Sequence, residues 1–103
     1  MGNKIHMTVI KNKVNPENLE DWFTTNRAKV YERSVETASL LVSNLHLEQE
    51  ILFEFYWNDD VYAKIYMNKK DVKTAMEKAL NFFVEQEMYE KAQACKDIKD
   101  LAV

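Results

Sequence analysis

The first half of the chain alternates between apolar and polar positions in two different periods. Residues 4–10 (KIHMTVI) alternate with a period of two, which indicates a strand. A polar connection, 11–14, follows. Asn15 is then placed as the N-cap of an amphipathic helix that ends near Leu47, with proline at its first position. The pattern therefore predicts a strand followed by one long helical segment.

The length of that helical segment raises a problem for the fold. About 30 residues of unbroken helix would extend roughly 45 Å at 1.5 Å per residue. Strands of five to eight residues span only about 17 to 27 Å. Three poor helix formers occur together at Thr24-Thr25-Asn26. We therefore expect either a kink at 24–26 or a helix end that projects beyond the sheet and needs a partner.

Two further apolar runs, EILFEFYW (50–57) and VYAKIYM (61–67), predict a β-hairpin. A three-residue loop, 58–60, sets the apolar side chains on one face, whereas a two-residue loop would mix them with charged ones. Phe55 and Trp57 are then core residues, and the tyrosines are not. The register predicts these facing pairs: Trp57–Val61, Phe55–Ala63, Phe53–Ile65 and Ile51–Met67 on the core face, and Tyr56–Tyr62, Glu54–Lys64 and Leu52–Tyr66 on the outer face.

The last third of the chain carries two helical stripes, one over 72–83 and one over 89–101, which are out of phase with each other. A turn at 85–88 would bring the stripes together. A single helix with a wide apolar face is the alternative, because the turn has no glycine or proline. The expected fold is α+β, in the order β-α-β-β-α-α. It forms one domain, 1–103, with a three-stranded antiparallel sheet covered on one face by helices and a helical hairpin at 69–102.

The composition is that of a folded globular protein, and the net charge limits the classes of partner that it can bind. Apolar residues make up 47% of the chain and charged residues 30%. The net charge of −3 argues against direct binding to nucleic acid, which requires clustered lysine and arginine. No apolar run approaches the roughly 20 residues that span a bilayer, and the N-terminus lacks the long apolar stretch of a signal peptide. We expect a cytoplasmic protein that does not bind a membrane.

No arrangement of residues in the sequence indicates catalysis. Cys95 is the only cysteine, so no intrachain disulfide can form, and its helical position predicts a buried, inert thiol. His6 and His46 lie on different elements and are interpreted as surface residues. Nucleophile–base spacings, phosphate-binding loops and zinc motifs are absent from the sequence. We therefore predict a protein that is not an enzyme and has neither cofactor nor metal.

The stretch 48–60 is the most unusual part of the charge pattern, since it holds five acidic residues and no basic one. Exposed tyrosines beside acidic groups are typical of protein interfaces. The predicted partner-binding residues are Glu50, Glu54, Tyr56, Asp59, Asp60, Tyr62 and Tyr66. Two other interpretations remain open: a solvated hairpin without a partner, and acids that imitate the phosphates of nucleic acid.

A family resemblance points to a second surface. The resemblance is carried by Met76–Ala79, by Tyr89–Ala92 and by Lys96-Asp97-Ile98. These residues resemble the UVR motif, the helical hairpin at the end of the excision-repair subunits UvrB and UvrC and of McsA-type activators. In that family the hairpin docks other proteins and often pairs with another copy of itself. The resemblance implies an interaction surface around Tyr89, Glu90 and Lys96.

Three hypotheses for function follow. The first is a small protein-binding module, with a composition that resembles small phage proteins acting as inhibitors or modulators of host proteins. The second is an acidic mimic of nucleic acid or an accessory protein of a nucleic-acid pathway. The third is a binder of a small ligand. Under the first hypothesis we expect another protein as partner and a homo-oligomer, because of the long helix and the UVR-like hairpin.

Overall fold

The computed structural model describes residues 9–102, and it has the predicted α+β class. Helices and strands follow one another in the predicted order, except that the first helical segment is divided. Short 3-10 turns at Pro16–Asn18 and Lys69–Asp71 precede two of the helices. The elements are β1 (Ile10–Lys13), α1 (Leu19–Thr25), α2 (Arg27–Ser43), β2 (Gln49–Trp57), β3 (Asp60–Asn68), α3 (Val72–Glu85) and α4 (Tyr89–Leu101).

The sheet is mixed, so the prediction of an antiparallel sheet is wrong for one of its two pairings. Its order is β1-β2-β3, with β2 antiparallel to β3 and parallel to β1. The parallel pairing arises because the two helices α1 and α2 carry the chain back to the end of the sheet where β1 began. A helical crossover of this kind joins parallel neighbours, whereas antiparallel neighbours are joined by tight turns.

The first strand also lies further along the chain than predicted. Most of the predicted strand, 4–8, lies outside the described residues, and β1 includes the lysines of the predicted connection 11–14. Ile10 pairs with Phe53, and its side chain is half-buried. Asn12 is the next inward residue, so the inward face of β1 holds a polar side chain. Because the inward position 12 is an asparagine and the neighbouring positions are lysines, β1 does not show the alternation of apolar and polar residues by which a strand is recognised in a sequence.

The long helical segment breaks at Asn26, as the kink alternative predicted. The Asn26 backbone N–H donates to Trp22 O at 2.9 Å, and its side-chain Nδ2 donates to the same oxygen at 2.8 Å. The side chain thus competes for a carbonyl of the last turn of α1. Asn15 caps the start of the segment as predicted, since its Oδ1 accepts from the Glu17 N–H at 3.0 Å. The break removes the argument for self-association that rested on helix length.

The β-hairpin has the predicted register at its centre only. Phe53 pairs with Ile65, Glu54 with Lys64 and Phe55 with Ala63, as expected. The loop is a two-residue turn, with Asn58 at φ 50° and Asp59 at φ 67°. Positive φ at both central residues is the requirement of a type I′ turn, which matches the twist of a hairpin. The prediction of a three-residue loop is therefore wrong.

Two β-bulges allow the hairpin to combine a two-residue turn with the predicted pairing at its centre. Next to the turn, β3 has one extra residue, Tyr62, and further along β2 has one extra residue, Leu52. The second bulge cancels the register shift of the first. Outside the centre, the pairs therefore differ from the prediction: Trp57–Asp60, Tyr56–Val61, Ile51–Tyr66 and Glu50–Met67.

The bulges change which hairpin side chains are buried. Leu52 was predicted on the outer face, but it is buried beside Phe53 and Phe55. Trp57 was predicted in the core, but it is half-buried and outside the core cluster. Val61 was predicted on the core face, but 48% of it is exposed. The errors at Leu52 and Val61 follow from the bulges, because a shift of one residue moves a side chain to the opposite face of a strand. Trp57 keeps the face of Phe55 but is the last residue of β2, where the core no longer covers it.

The bulge at Leu52 is supported by a buried arginine from α2. Only 4% of Arg33 is exposed. Its Nε donates to Leu52 O at 2.9 Å and its terminal nitrogen donates to Ile51 O at 3.4 Å. Buried carbonyls need hydrogen-bond donors, and a guanidinium can serve two of them at once. Arg33 therefore joins α2 to the irregular part of β2.

The helices and the inner face of the sheet enclose one aromatic core. Trp22 makes edge contacts with Phe53 and Phe55, with ring centroids 5.4 and 4.9 Å apart. Tyr31 stacks on Phe82 at 4.7 Å. Cys95 is fully buried, as predicted, and burial raises the pKa of its thiol, which disfavours the reactive thiolate.

The C-terminal segment is two helices, and the turn between them lies where it was predicted. Glu87 adopts φ 58°, one residue beyond the C-cap of α3, Gln86. The Glu87 N–H donates to Val84 O at 3.0 Å, and the Met88 N–H donates to Phe83 O at 2.8 Å. This pair of bonds is a Schellman motif, which normally has glycine at the left-handed position. The chain therefore turns without glycine because Glu87 takes the conformation that glycine usually supplies.

Candidate functional site

Four of the five acids of the stretch 48–60 are divided between the two ends of β2. Glu48 and Glu50 lie at its start, and Asp59 and Asp60 lie at the hairpin turn. Nine residues of strand separate these groups by about 30 Å. The Glu50 Oε1 accepts a hydrogen bond from the Ile51 N–H at 2.9 Å, so part of its acceptor capacity is used within its own strand.

Glu54, at the middle of β2, lies between basic residues. Its Oε1 is 3.9 Å from Lys64 Nζ, and only 15% of the Glu54 side chain is exposed. Lys11 of β1 is its register partner on the other side. The parallel pairing of β1 thus brings lysines next to acids that are uncompensated in the sequence. The middle of the outer sheet face therefore carries mixed charge.

The three predicted tyrosines have three different environments. Tyr66 is 47% exposed. Tyr56 is half-buried and pairs with Val61. The Tyr62 hydroxyl donates to Val14 O at 2.6 Å, and burial raises the pKa of this phenol. Tyr62 therefore ties β3 to the end of β1, whereas Tyr66 is open to solvent.

A groove of about 450 Å³ lies at the hairpin-turn end of the molecule, between α1 and the end of β2. Both tryptophans of the protein line it, Trp22 from α1 and Trp57 from β2. We call this region the tryptophan groove. The remaining residues of its walls are polar apart from Val14: Lys13, Asn15, Asn18, Asp21, Thr25 and Asn26.

The helical wall of the tryptophan groove follows from the spacing of α1. Asn18, Asp21 and Thr25 recur at helical intervals around Trp22 and so share one face of the helix. The break at Asn26 ends that face and closes one end of the groove. The Trp22 ring packs against Phe53 and Phe55, so this wall is joined to the core.

The opposite wall carries a cation next to an aromatic ring. Lys13 Nζ lies 5.8 Å from the centroid of the Trp57 ring, within the range of a cation–π contact. Trp57 pairs with Asp60 across the hairpin, so one turn aspartate is the strand neighbour of this tryptophan. Asp21 lines the groove next to Trp22 in the helical wall, and among residues 9–102 it is the only acidic residue of the lining.

Sequence reasoning found only part of this region. It selected Asp59 and Asp60, but it placed Trp57 in the core and did not select Asn18 or Asp21. Two features of the sequence could have indicated the helical wall. These are the spacing of the polar residues around Trp22 and the weak helix formers that follow them. That reading needs the position of β2 next to α1, which the sequence does not give.

The second predicted surface lies on α4. Tyr89 is 61% exposed, and it lines a shallow groove of about 280 Å³ together with Glu90. Lys96 follows on the Tyr89 side of the helix, two turns or about 10 Å further along. The neighbouring Lys91 is bound to Glu32 of α2 at 2.9 Å. The structure thus brings Tyr89 and Glu90 together and leaves Lys96 apart from them.

Histidine, cysteine and acidic side chains are the usual ligands of metal ions in proteins. His46 is exposed, as predicted, while His6 lies outside the described residues. No group of three or more histidine, cysteine, aspartate and glutamate side chains in this range could hold a metal ion. None of the helices in this range has the length and apolar character needed to cross a bilayer.

Comparison with protein-family models, with curated proteins and with solved structures finds no match to this chain. The helical hairpin formed by α3 and α4 is an observation. Its assignment to the UVR motif stays a prediction.

Proposed function

We propose that this chain is a non-enzymatic module that binds another protein, and that it recognises a basic segment of that protein at the tryptophan groove. One observation carries the proposal. Both tryptophans line a single open groove together with Asp21, and the strand partner of Trp57 is Asp60 of the acidic hairpin turn. Tryptophan is enriched among the residues that dominate binding energy at protein interfaces.

Charge and aromatic surface together favour a cationic side chain as the anchor. Lys13 already lies over the Trp57 ring, which shows that the ring's position suits an ammonium group. A lysine or arginine of the partner would gain both the ring and the neighbouring carboxylates. Exposed carboxylates would also attract a basic partner over several ångströms and raise its association rate.

The mimicry hypothesis has weaker support. A mimic of nucleic acid needs an extended array of free carboxylates, but Glu54 lies between Lys11 and Lys64. Glu50 accepts from the backbone of its own strand. The hypothesis of a phage-encoded inhibitor rests on composition alone, and it stays a prediction.

Co-purification from cells, followed by measurement of association rates at two ionic strengths, tests the proposal. We expect Asp59→Lys/Asp60→Lys to fold normally, to lower the association rate at low salt and to flatten its dependence on salt. Trp57→Ala should weaken binding at least tenfold, mainly through faster dissociation.

The control is Glu90→Lys on the α4 surface, which reverses one exposed charge outside the tryptophan groove. It should leave partner binding unchanged. If Glu90→Lys weakens binding and the hairpin variants do not, the tryptophan groove is not the recognition site, and the α4 surface takes its place.

A further inference from the structure

Among residues 9–102, the two most exposed large apolar side chains lie at the opposite end of the molecule from the tryptophan groove. Leu45, in the turn after α2, is 86% exposed, and Leu101, at the end of α4, is 69% exposed. Both line a groove of about 290 Å³ whose other apolar residues include the buried Leu41 and the half-buried Val42. Exposed apolar surface of this kind marks interaction sites. We call this region the leucine patch.

The turn that presents Leu45 is held in place by hydrogen bonds to Asn44. The Asn44 Oδ1 accepts from the His46 N–H at 3.1 Å. The Asn44 backbone oxygen accepts from the Leu47 N–H at 3.3 Å and from Lys69 Nζ at 2.8 Å. A turn stabilised in this way keeps Leu45 directed into solvent before any partner arrives. Leu45 is therefore a fixed apolar projection next to an apolar groove.

The rim of the leucine patch carries both signs of charge. Glu48 and Lys70 both line the groove, and both are exposed. Among residues 9–102, no ion pair joins them. A surface that contains a projection, a groove, an acid and a base is complementary to a copy of itself turned by a two-fold axis. Two-fold symmetry would place unlike charges opposite each other.

We propose that the leucine patch is the interface between two copies of this chain. Leu45 of each copy enters the groove of the other, and Glu48 of each copy faces Lys70 of the other. The proposal does not rest on the proposed function, because the leucine patch and the tryptophan groove lie at opposite ends of β2. It replaces the helix-length argument for self-association, which the break at Asn26 removed.

Sedimentation equilibrium over a range of micromolar concentrations tests the interface. We expect the wild-type chain to form a dimer and Leu45→Ser to weaken it at least tenfold. Because Leu45 is almost fully exposed, this substitution should leave the circular dichroism spectrum unchanged. The matched control is Val84→Ser, which alters a 45% exposed residue of α3 outside the patch and should leave the dimer intact. A monomeric wild-type chain, or an unchanged dimer in Leu45→Ser, overturns the proposal.

A charge exchange tests the two-fold arrangement itself. Glu48→Lys and Lys70→Glu should each weaken dimerisation at low salt, because each homodimer then sets like charges together. An equimolar mixture of the two variants should associate again, since the new lysine at position 48 then faces the new glutamate at position 70. If the mixture stays as weakly associated as each variant alone, the proposed pairing is wrong. Loss of dimerisation leaves the tryptophan groove intact, so binding of the other protein reports separately on the proposed function.

Discussion

The β-hairpin and the helical hairpin of this protein differ in how far their turns disturb the elements that they join. Each joins two antiparallel neighbours through a tight turn, and each turn uses non-glycine residues with positive φ, Asn58 and Asp59 in one case and Glu87 in the other. The β-hairpin requires two bulges to bring its apolar residues to the core. The helical hairpin closes with a Schellman turn and places its buried residues without any irregularity within either helix.

The difference lies in how each element responds to a change of one residue. In a strand, a shift of one residue moves every side chain to the other face, so a mismatch between turn and core must be absorbed locally by a bulge. In a helix pair, the packing surface is a stripe, and small rotations of a helix can restore contact. A bulge interrupts the regular pairing of a ladder, so the β-hairpin depends on supports from outside the hairpin. Arg33 and Val14 provide them.

Replacing Arg33 should produce the largest effect. In Arg33→Met the carbonyls of Leu52 and Ile51 lose their buried donor, and we expect a loss of about 1–3 kcal/mol in the free energy of unfolding. Denaturant unfolding measures it. The control is Glu32→Met, the adjacent residue on α2, whose ion pair with Lys91 is largely exposed and should contribute well under about 1 kcal/mol. Equal losses in the two variants would show that the bulge does not need Arg33.

Removing the Tyr62 hydroxyl should have a smaller effect that depends on pH. Tyr62→Phe loses the hydrogen bond to Val14 O, and we expect a loss of roughly 0.5–1.5 kcal/mol at neutral pH. Tyr56→Phe is the control, because no hydrogen bond of the Tyr56 hydroxyl is present among residues 9–102. Denaturant unfolding at neutral pH compares the two variants.

The sign of the pH dependence follows from the raised pKa of Tyr62. Burial raises this pKa in the folded state, so the folded protein holds the phenolic proton more tightly than the unfolded chain. The stability linked to this proton is present below the unfolded pKa of about 10 and is lost as the pH rises above it. Wild type should therefore lose more stability in alkali than Tyr62→Phe. Cys95 contributes equally to both chains, so parallel alkaline curves would contradict the assigned role of Tyr62.

Glycine substitutions in the two turns should have the smallest effects. Glu87→Gly should raise the free energy of unfolding by roughly 0.5–1 kcal/mol, because it removes a strained left-handed side chain. Asp59→Gly should gain less, since aspartate tolerates this conformation better than glutamate. Urea midpoints measure both. Lys78→Gly, at an exposed position in the middle of α3, is the control and should destabilise by about 1 kcal/mol. A loss in Glu87→Gly would contradict the strain assigned to this turn.

The features that the sequence predicted correctly depend on short stretches of chain. Three weak helix formers indicated a kink at 24–26 as one of two alternatives, and the change of stripe phase favoured a turn before Tyr89 over a single helix. The pairing of Phe53 with Ile65 followed from alternation at the centre of the hairpin. In each case neighbouring residues alone determine the outcome.

The features that the sequence did not predict depend on distant parts of the chain. Leu52 is buried at a bulge to which Arg33 of α2 donates a hydrogen bond, and Trp57 lies at the end of β2 beside α1. The same reason limited the candidate site. Asp59 and Asp60 stand out in the sequence, whereas Asp21 comes to line a groove with Trp57 only because α1 packs beside the end of β2.

The parallel pairing of β1 with β2 has a consequence for how the chain folds. Ile10 and Phe53 are roughly 40 residues apart in sequence, so their pairing closes a far longer loop than either hairpin does and costs more chain entropy. Contacts of this kind form slowly, and local ones form first. Both hairpins should therefore assemble early and β1 should dock last. During synthesis β1 leaves the ribosome before β2 has been made. It therefore stays unpaired until its partner strand is available.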